Sequence, residues 1–227
     1  NIFKDKFNSP DCFAGHSLGE ITALYCSEVL QFEEALILIK KRSENMEKAS
    51  IENPGKMLAI INANKNIISK ILKNTSITIA NINSSTQIIL SGTVTSVNDT
   101  MQYCKENQIK TLLLPVSGAF HSNLMQSASD ALLETINQLN FKDAIIPIYQ
   151  NYNALPTQDK DLIKDNLIQQ ITSPVQWEKT IKNMIKNKIN KFIEIGPKNI
   201  LTNLNRRIHS ELEYNKSFEE LINDKSI

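Results

Sequence analysis

Cys12-Phe13-Ala14-Gly15-His16-Ser17-Leu18-Gly19-Glu20 is the stretch whose reading decides the fold. Three apolar residues run into a glycine, a serine follows two positions later, and helix-forming sequence begins directly behind it. In that setting G-x-S-x-G is a nucleophile elbow, a sharp strand-to-helix turn that pushes one hydroxyl into the open. Crowding in such a turn predicts that a Cβ at Gly15 or Gly19 would clash. A helix starting after Ser17 also points its free N–H groups and positive end at the hydroxyl, which suits a developing oxyanion. The elbow therefore predicts an α/β fold whose main domain is a hydrolase-like parallel sheet.

Composition bounds the function without naming a chemistry. The 227 residues are enough for one large domain or two modest ones, and 41% hydrophobic with 22% charged residues fits a soluble globular chain. A net charge of +1 gives no electrostatic footprint for nucleic acid or an anionic membrane surface. No apolar run reaches the length of a membrane span; the nearest, 111–120, is interrupted by Pro115, Ser117 and Gly118. Cys12, Cys26 and Cys104, an odd set with no C-x-x-C, point to a reducing compartment and read as buried small hydrophobes. Only three of the 25 basic side chains are arginine, and asparagine and isoleucine abound, a bias typical of an AT-rich genome. Each arginine is therefore worth a question. Little sequence precedes the elbow strand, whereas sheets of this type carry earlier strands, so a further N-terminal segment is expected.

Organisation follows from periodicity. A helix over 33–50 carries Glu33, Glu34, Lys40, Lys41, Glu44, Glu47 and Lys48 on one side and Ala35, Leu38, Ile39, Met46 and Ala49 on the other. Arg42 falls in the middle of the apolar side. After Asn53-Pro54-Gly55 the pattern reads strand 57–62, helix 65–73, strand 77–83, strand 87–91, a helix bearing Val94, Val97, Met101 and Cys104, and strand 110–116. That βαββαβ order predicts a ferredoxin-like subdomain over 56–116, inserted into a discontinuous domain of 1–55 and 117–227. The chain returns through Ser117-Gly118-Ala119-Phe120-His121-Ser122 to a helix over 123–139, then strands near 145–149 and 192–195 and a last helix with Ile200, Leu201, Leu204 and Ile208. The polar tail from about Tyr214 is expected to fray.

A serine nucleophile needs a base, and there are three histidines. His16 adjoins Ser17, so a regular backbone turns its ring away from the hydroxyl to pack behind the elbow. His209 lies outside the apolar stripe of the last helix and reads as a solvated surface residue. His121 follows a buried-looking strand at the start of a helix, where α/β sites gather, and is the expected base. It comes 104 residues after the serine with no acid positioned for it, which predicts a Ser–His dyad whose imidazole is oriented by a neutral acceptor. Arg42 has no acid on its own helix face. A pocket that receives a substrate carboxylate would satisfy it by a bidentate fork; an ion pair with a distant Asp or Glu is the other reading.

Gly15-His16-Ser17-Leu18-Gly19-Glu20, Arg42, Gly118-Ala119-Phe120-His121-Ser122, Ser173-Pro174-Val175-Gln176-Trp177 and Glu194-Ile195-Gly196-Pro197 occur in the order seen in malonyl-CoA:acyl carrier protein transacylases. The chain resembles that family to about Leu212. The resemblance implies a hydrolase-like domain with an inserted ferredoxin-like subdomain, transfer of malonyl from malonyl-CoA to the phosphopantetheine thiol of acyl carrier protein, and a place in fatty acid biosynthesis. It makes Ser17 the acylated nucleophile, His121 the general base, and Arg42 the clamp for the malonyl carboxylate. It also gives Gln170 a backbone carbonyl that holds His121, and Leu18 a backbone N–H for half the oxyanion hole. Ala119-Phe120-His121 before Ser122 resembles forms that take malonyl rather than methylmalonyl units. Family members supply the other oxyanion donor from an N-terminal Gly-Gln-Gly loop, and no such sequence precedes Ser17.

By the same resemblance no metal or redox cofactor is expected, the coenzyme A thioester being the substrate, and the protein is expected to be a monomer. Its acidic carrier partner would meet a basic surface, for which Lys182, Lys186, Lys198, Arg206 and Arg207 are the candidates. Composition and pathway together imply a plastid (apicoplast), with a bacterial cytoplasm as the alternative. Two other functions share the elbow: a serine esterase or thioesterase, and an inactive module that binds carrier protein.

Overall fold

Apolar residues at helical spacing and in alternating runs dictate the elements of the computed structural model, which describes residues 10–214 apart from 63 and 197. The tail beyond 214 and the proline of the Glu194-Ile195-Gly196-Pro197 motif lie outside the described residues. Strand β1 (Phe13–Ala14) passes through Ser17 into helix α1 (Leu18–Cys26), which a short turn joins to α2 (Phe32–Glu52). A capping box opens α2: the Gln31 N–H donates to Glu34 Oε2 at 2.9 Å while the Gln31 side chain takes a backbone N–H in return. The buried stripe of α2 includes Ala35, Leu38, Arg42, Met46 and Ala49, one face of a helix with a guanidinium at its centre.

Strands β2 (Gly55–Ile61), β3 (Thr78–Ser84), β4 (Gln87–Thr93) and β5 (Thr111–Leu113) alternate with α3 (Lys65–Asn74) and α4 (Val94–Glu106). They form an antiparallel sheet in the order β3-β4-β2-β5, the ferredoxin-like arrangement. One face packs Leu58, Ile60 and Leu90 under Ile68, Ile71 and Val97 of the two helices. The alternate residues Met57, Ala59 and Ile89 point the other way and pack, with Ala80, against Phe120.

A 3₁₀ turn (Asn123–Met125) and α5 (Gln126–Gln138) follow, then β6 (Ile148–Tyr149), β7 (Pro156–Thr157), α6 (Lys160–Thr172), α7 (Trp177–Lys186), β8 (Lys191–Phe192), α8 (Ile200–Ile208) and β9 (Glu213–Tyr214). Ile21, Leu24, Leu38, Leu132, Ile136, Ile148 and Leu167 form the central core, bringing α1, α2, α5, β6 and α6 together. Val175 ties the subdomain to this body: its N–H donates to Ala80 O and its carbonyl accepts from Ile82 N, both at 2.9 Å. Trp177, two residues on, is buried and donates through Nε1 to Asn205 Oδ1 at 2.9 Å. Among the described residues no helix is long and apolar enough to cross a membrane.

The structure corrects several expectations. The sheet that carries the elbow is mixed, not wholly parallel: β1 and β6 run parallel, but β7 returns antiparallel on β6. Six residues join β6 to β7, too few for the crossover that a parallel pair requires. Expected strands also shorten where the backbone finds other partners. Before β6, the N–H groups of Ile145 and Ile146 bond Ser27, and Pro147 has none to give. Pro115 stops β5 in the same way. Beyond β8, the Glu194 carboxylate accepts from the N–H groups of Leu201 and Thr202 at 3.0 and 2.7 Å, capping α8 instead of extending the strand. Of the three free cysteines only Cys104 is fully buried; Cys12 and Cys26 are half-buried.

Candidate active site

Ser17 sits at φ 54°, ψ −106°, a conformation L-residues rarely adopt, and it is this twist that turns β1 into α1 within one residue. Close approach requires Gly15: a Cβ there would lie 1.9 Å from Gly19 O and 2.5 Å from Glu20 N. Gly19 differs from expectation, since a Cβ there meets nothing within 4 Å. The turn closes with Gly19 N donating to His16 O at 3.0 Å and Glu20 N to Ser17 O at 3.1 Å. The Leu18 N–H meets no acceptor among the described residues and stands at the start of α1 beside the serine. His16 turns away, its Nε2 2.9 Å from Asn83 Oδ1 and its ring 5.6 Å from that of Trp177.

His121 comes from the segment that leads out of the subdomain. Small residues are required just before it: a Cβ on Gly118 would lie 2.0 Å from Ser50 Oγ, and one on Gly55 2.6 Å from Ala119 Cβ. Thus the segment lies flat on the end of α2, and His121 reaches φ 57° with its ring buried. Its Nδ1 lies 2.8 Å from the Gln170 carbonyl, which can only accept, so Nδ1 carries the hydrogen. Nε2 then offers a lone pair, and it lies 2.8 Å from Ser17 Oγ. Burial first, with the Arg42 charge and His16 adding to it, pushes the imidazole down to about 3, so it is neutral at ordinary pH.

Arg42 reaches the same hydroxyl. Its Nη2 donates to Ser17 Oγ at 2.9 Å and to Gln170 Oε1 at 3.3 Å. Oγ therefore accepts from the guanidinium and donates to the imidazole, a fully specified pair of bonds. Arg42 Nε is buried with no partner among the described residues, leaving the guanidinium a donor to spare. Its counter-charge is Glu20, fully buried one helical turn past the elbow, where burial pushes the carboxyl up to about 7 despite bonds from Asn151, Gln170 and Gln150. Burial likewise pushes Arg42 down to about 10, opposed by Glu20. A cavity of about 600 Å³ opens over the three groups, walled by Met46, Met57 and Phe120, with Asn81 of the subdomain on its edge.

The structure brings Ser17, Arg42, His121 and Gln170 into one hydrogen-bonded cluster, with Leu18 at the cavity wall. No bond to Ser17 involves His209, which follows α8 and is half-buried instead of fully exposed. Lys182, Lys186, Lys198, Arg206 and Arg207 are exposed, and Lys182 pairs with Glu178. Sequence reasoning missed the Gln170 side chain and the buried set Glu20, Gln150, Asn151 and Asn166. Glu20 closes the elbow motif itself, and a carboxylate on the inner side of a buried helix was the available signal.

The description "acyl transferase domain" matches residues 7–222 of this chain. A malonyl CoA-acyl carrier protein transacylase from Synechocystis sp. is 38% identical over 213 residues, covering 93% of this chain and 71% of that protein. The chain belongs to the malonyl CoA-acyl carrier protein transacylase family. Among solved structures, the family member from Coxiella burnetii superposes with a TM-score of 0.89 at 35% identity, over 95% of this chain and 70% of that one. A malonyl-transacylase solved in complex with its type II polyketide synthase acyl-carrier protein superposes at 0.90 and 30% identity, over 96% and 73%. The fold is thus the α/β hydrolase-like acyltransferase fold.

Proposed function

We propose that this acyltransferase moves a malonyl group from malonyl-CoA to the phosphopantetheine thiol of an acyl carrier protein through an ester on Ser17. The observation that carries the reading is the shared hydroxyl: an imidazole lone pair and an arginine N–H converge on one Oγ at 2.8 and 2.9 Å. Ser17 attacks the thioester carbonyl while its proton passes to His121 Nε2. The resulting oxyanion faces the Leu18 N–H, and the Gln170 carbonyl stabilises the imidazolium through Nδ1–H. Collapse breaks the C–S bond, and the proton returns to the departing coenzyme A thiol. The carrier thiol then gives its proton to His121 and attacks the ester, and Ser17 recovers a hydrogen as it leaves. No step calls for a metal or redox group.

The malonyl carboxylate is the anion that a buried arginine lining the cavity beside the Ser17 hydroxyl is suited to take. On binding it exchanges the Arg42 bond to Ser17 Oγ for a charge-assisted pair, which a neutral ester or acetyl group cannot do. That distinguishes the reading from a serine esterase. The test incubates the protein with malonyl-CoA and phosphopantetheinylated carrier protein and follows malonyl on the carrier thiol. Transfer is expected, abolished in Ser17→Ala. Free malonate with no malonyl-carrier would establish a thioesterase instead, and no turnover of either kind a binding module.

A further inference from the structure

Asn151, fully buried at the end of β6, grips the elbow from beneath. Its Oδ1 accepts from the Ser17 N–H at 2.6 Å and its Nδ2 donates to the Gly15 carbonyl at 2.6 Å, so one carboxamide bridges the main chain on both sides of His16. Its own N–H donates to Glu20 Oε2 at 2.6 Å, and its carbonyl accepts from Gln176 N at 3.0 Å. Glu20 Oε1 in turn accepts from Gln150 Nε2 at 3.2 Å, and Gln150 is fixed by Asn166 Nδ2 at 2.8 Å and the Ile163 carbonyl at 3.1 Å. Every polar group of Asn151 is thus satisfied inside the core, which makes the arrangement stiff.

We propose that Asn151, held by Glu20, is a positioning residue that clamps the nucleophile elbow in its strained form and so fixes where the Ser17 hydroxyl points. A serine at φ 54°, ψ −106° is strained relative to relaxed backbone, so something must oppose its relaxation. The carboxamide does so by holding Gly15 O and Ser17 N–H at a set separation. It also commits the Ser17 N–H, which leaves Leu18 as the elbow's own oxyanion donor. The inference rests on Ser17 being the nucleophile, but not on which acyl group it takes.

The test separates the two by using a fluorophosphonate, which labels a reactive serine without needing Arg42. Asn151→Ala and Glu20→Gln are compared with wild type by labelling rate per competent site, the competent fraction being the final labelling amplitude. Malonyl-CoA dissociation constants are measured in the Ser17→Ala background. A misdirected hydroxyl predicts labelling about 100-fold slower in Asn151→Ala, with its malonyl-CoA dissociation constant unchanged within about 2-fold, and labelling about 10-fold slower in Glu20→Gln. A loss of folded protein alone would lower the amplitude and leave the rate per site intact, which overturns the clamp. Should Asn151→Ala not fold, Glu20→Gln decides, and labelling at the wild-type rate overturns it. Wild-type protein that reacts with the phosphonate but takes no malonyl from malonyl-CoA would refute the malonyl reading and leave the clamp standing.

Discussion

Gln170 does two jobs from one position. Its carbonyl fixes the His121 tautomer, and its side chain accepts from Arg42 Nη2 and donates through Nε2 to the Ser17 carbonyl at 3.3 Å. The two can be separated by mutation because every residue has a carbonyl. In Gln170→Ala the His121 ring stays oriented, but Arg42 loses the Oε1 acceptor of its Nη2. Steady-state kinetics should show the KM for malonyl-CoA raised about 10-fold, the cost of one hydrogen bond to a charged group, with phosphonate labelling of Ser17 nearly unchanged. Equal losses in both would mean that the side chain supports the dyad, not the clamp.

At the scale of elements, the elbow tolerates its two glycines differently. Gly15→Ala places a methyl inside the Gly19 carbonyl and should cost about 3 kcal/mol or more, read as a lower urea midpoint at unchanged slope. Gly19→Ala has open space and a helical backbone, and should be neutral or stabilising by about 0.5 kcal/mol. Equal destabilisation would contradict the packing described for α1. This asymmetry could not be read from the motif, because G-x-S-x-G records spacing and not which neighbour approaches. The elements themselves were legible: the α2 stripe announced Arg42, and the βαββαβ order over 56–116 announced the subdomain. Short strands were not, since Ile145 and Ile146 find partners far away in the chain and Glu194 finds its own seven and eight residues ahead. Asn151 was hidden for the same reason, lying 134 residues from the Ser17 N–H it binds. Nor does any contact in the fold record the compartment inferred from composition.

Across the whole molecule, burial of ionisable groups around the cavity ties stability to pH. His121 is held near 3 against its ordinary 6.5, and His16 is also held low, its burial outweighing the bond to Asn83. In acid the unfolded chain takes protons there that the fold refuses, so stability present above pH 6.5 is lost as pH falls toward 3. Glu20 has the opposite sign: its raised carboxyl contributes below 4.5 and that contribution is gone once pH rises past about 7. Comparing wild type with His121→Gln isolates the imidazole. The variant's stability should fall less steeply with acid by about 1.4 kcal/mol per pH unit between about pH 4 and 6, measured by denaturation at each pH. Parallel curves would place the His121 ring in water. What holds all of these groups in one cluster is the chain's path: the elbow, the middle of α2 and the exit from the subdomain meet at one serine oxygen. The most direct check is mass spectrometry of the protein quenched seconds after mixing with malonyl-CoA. One malonyl ester on the peptide containing Ser17, absent in Ser17→Ala, is the predicted result; an unmodified Ser17, or malonyl on any other residue, would contradict the account.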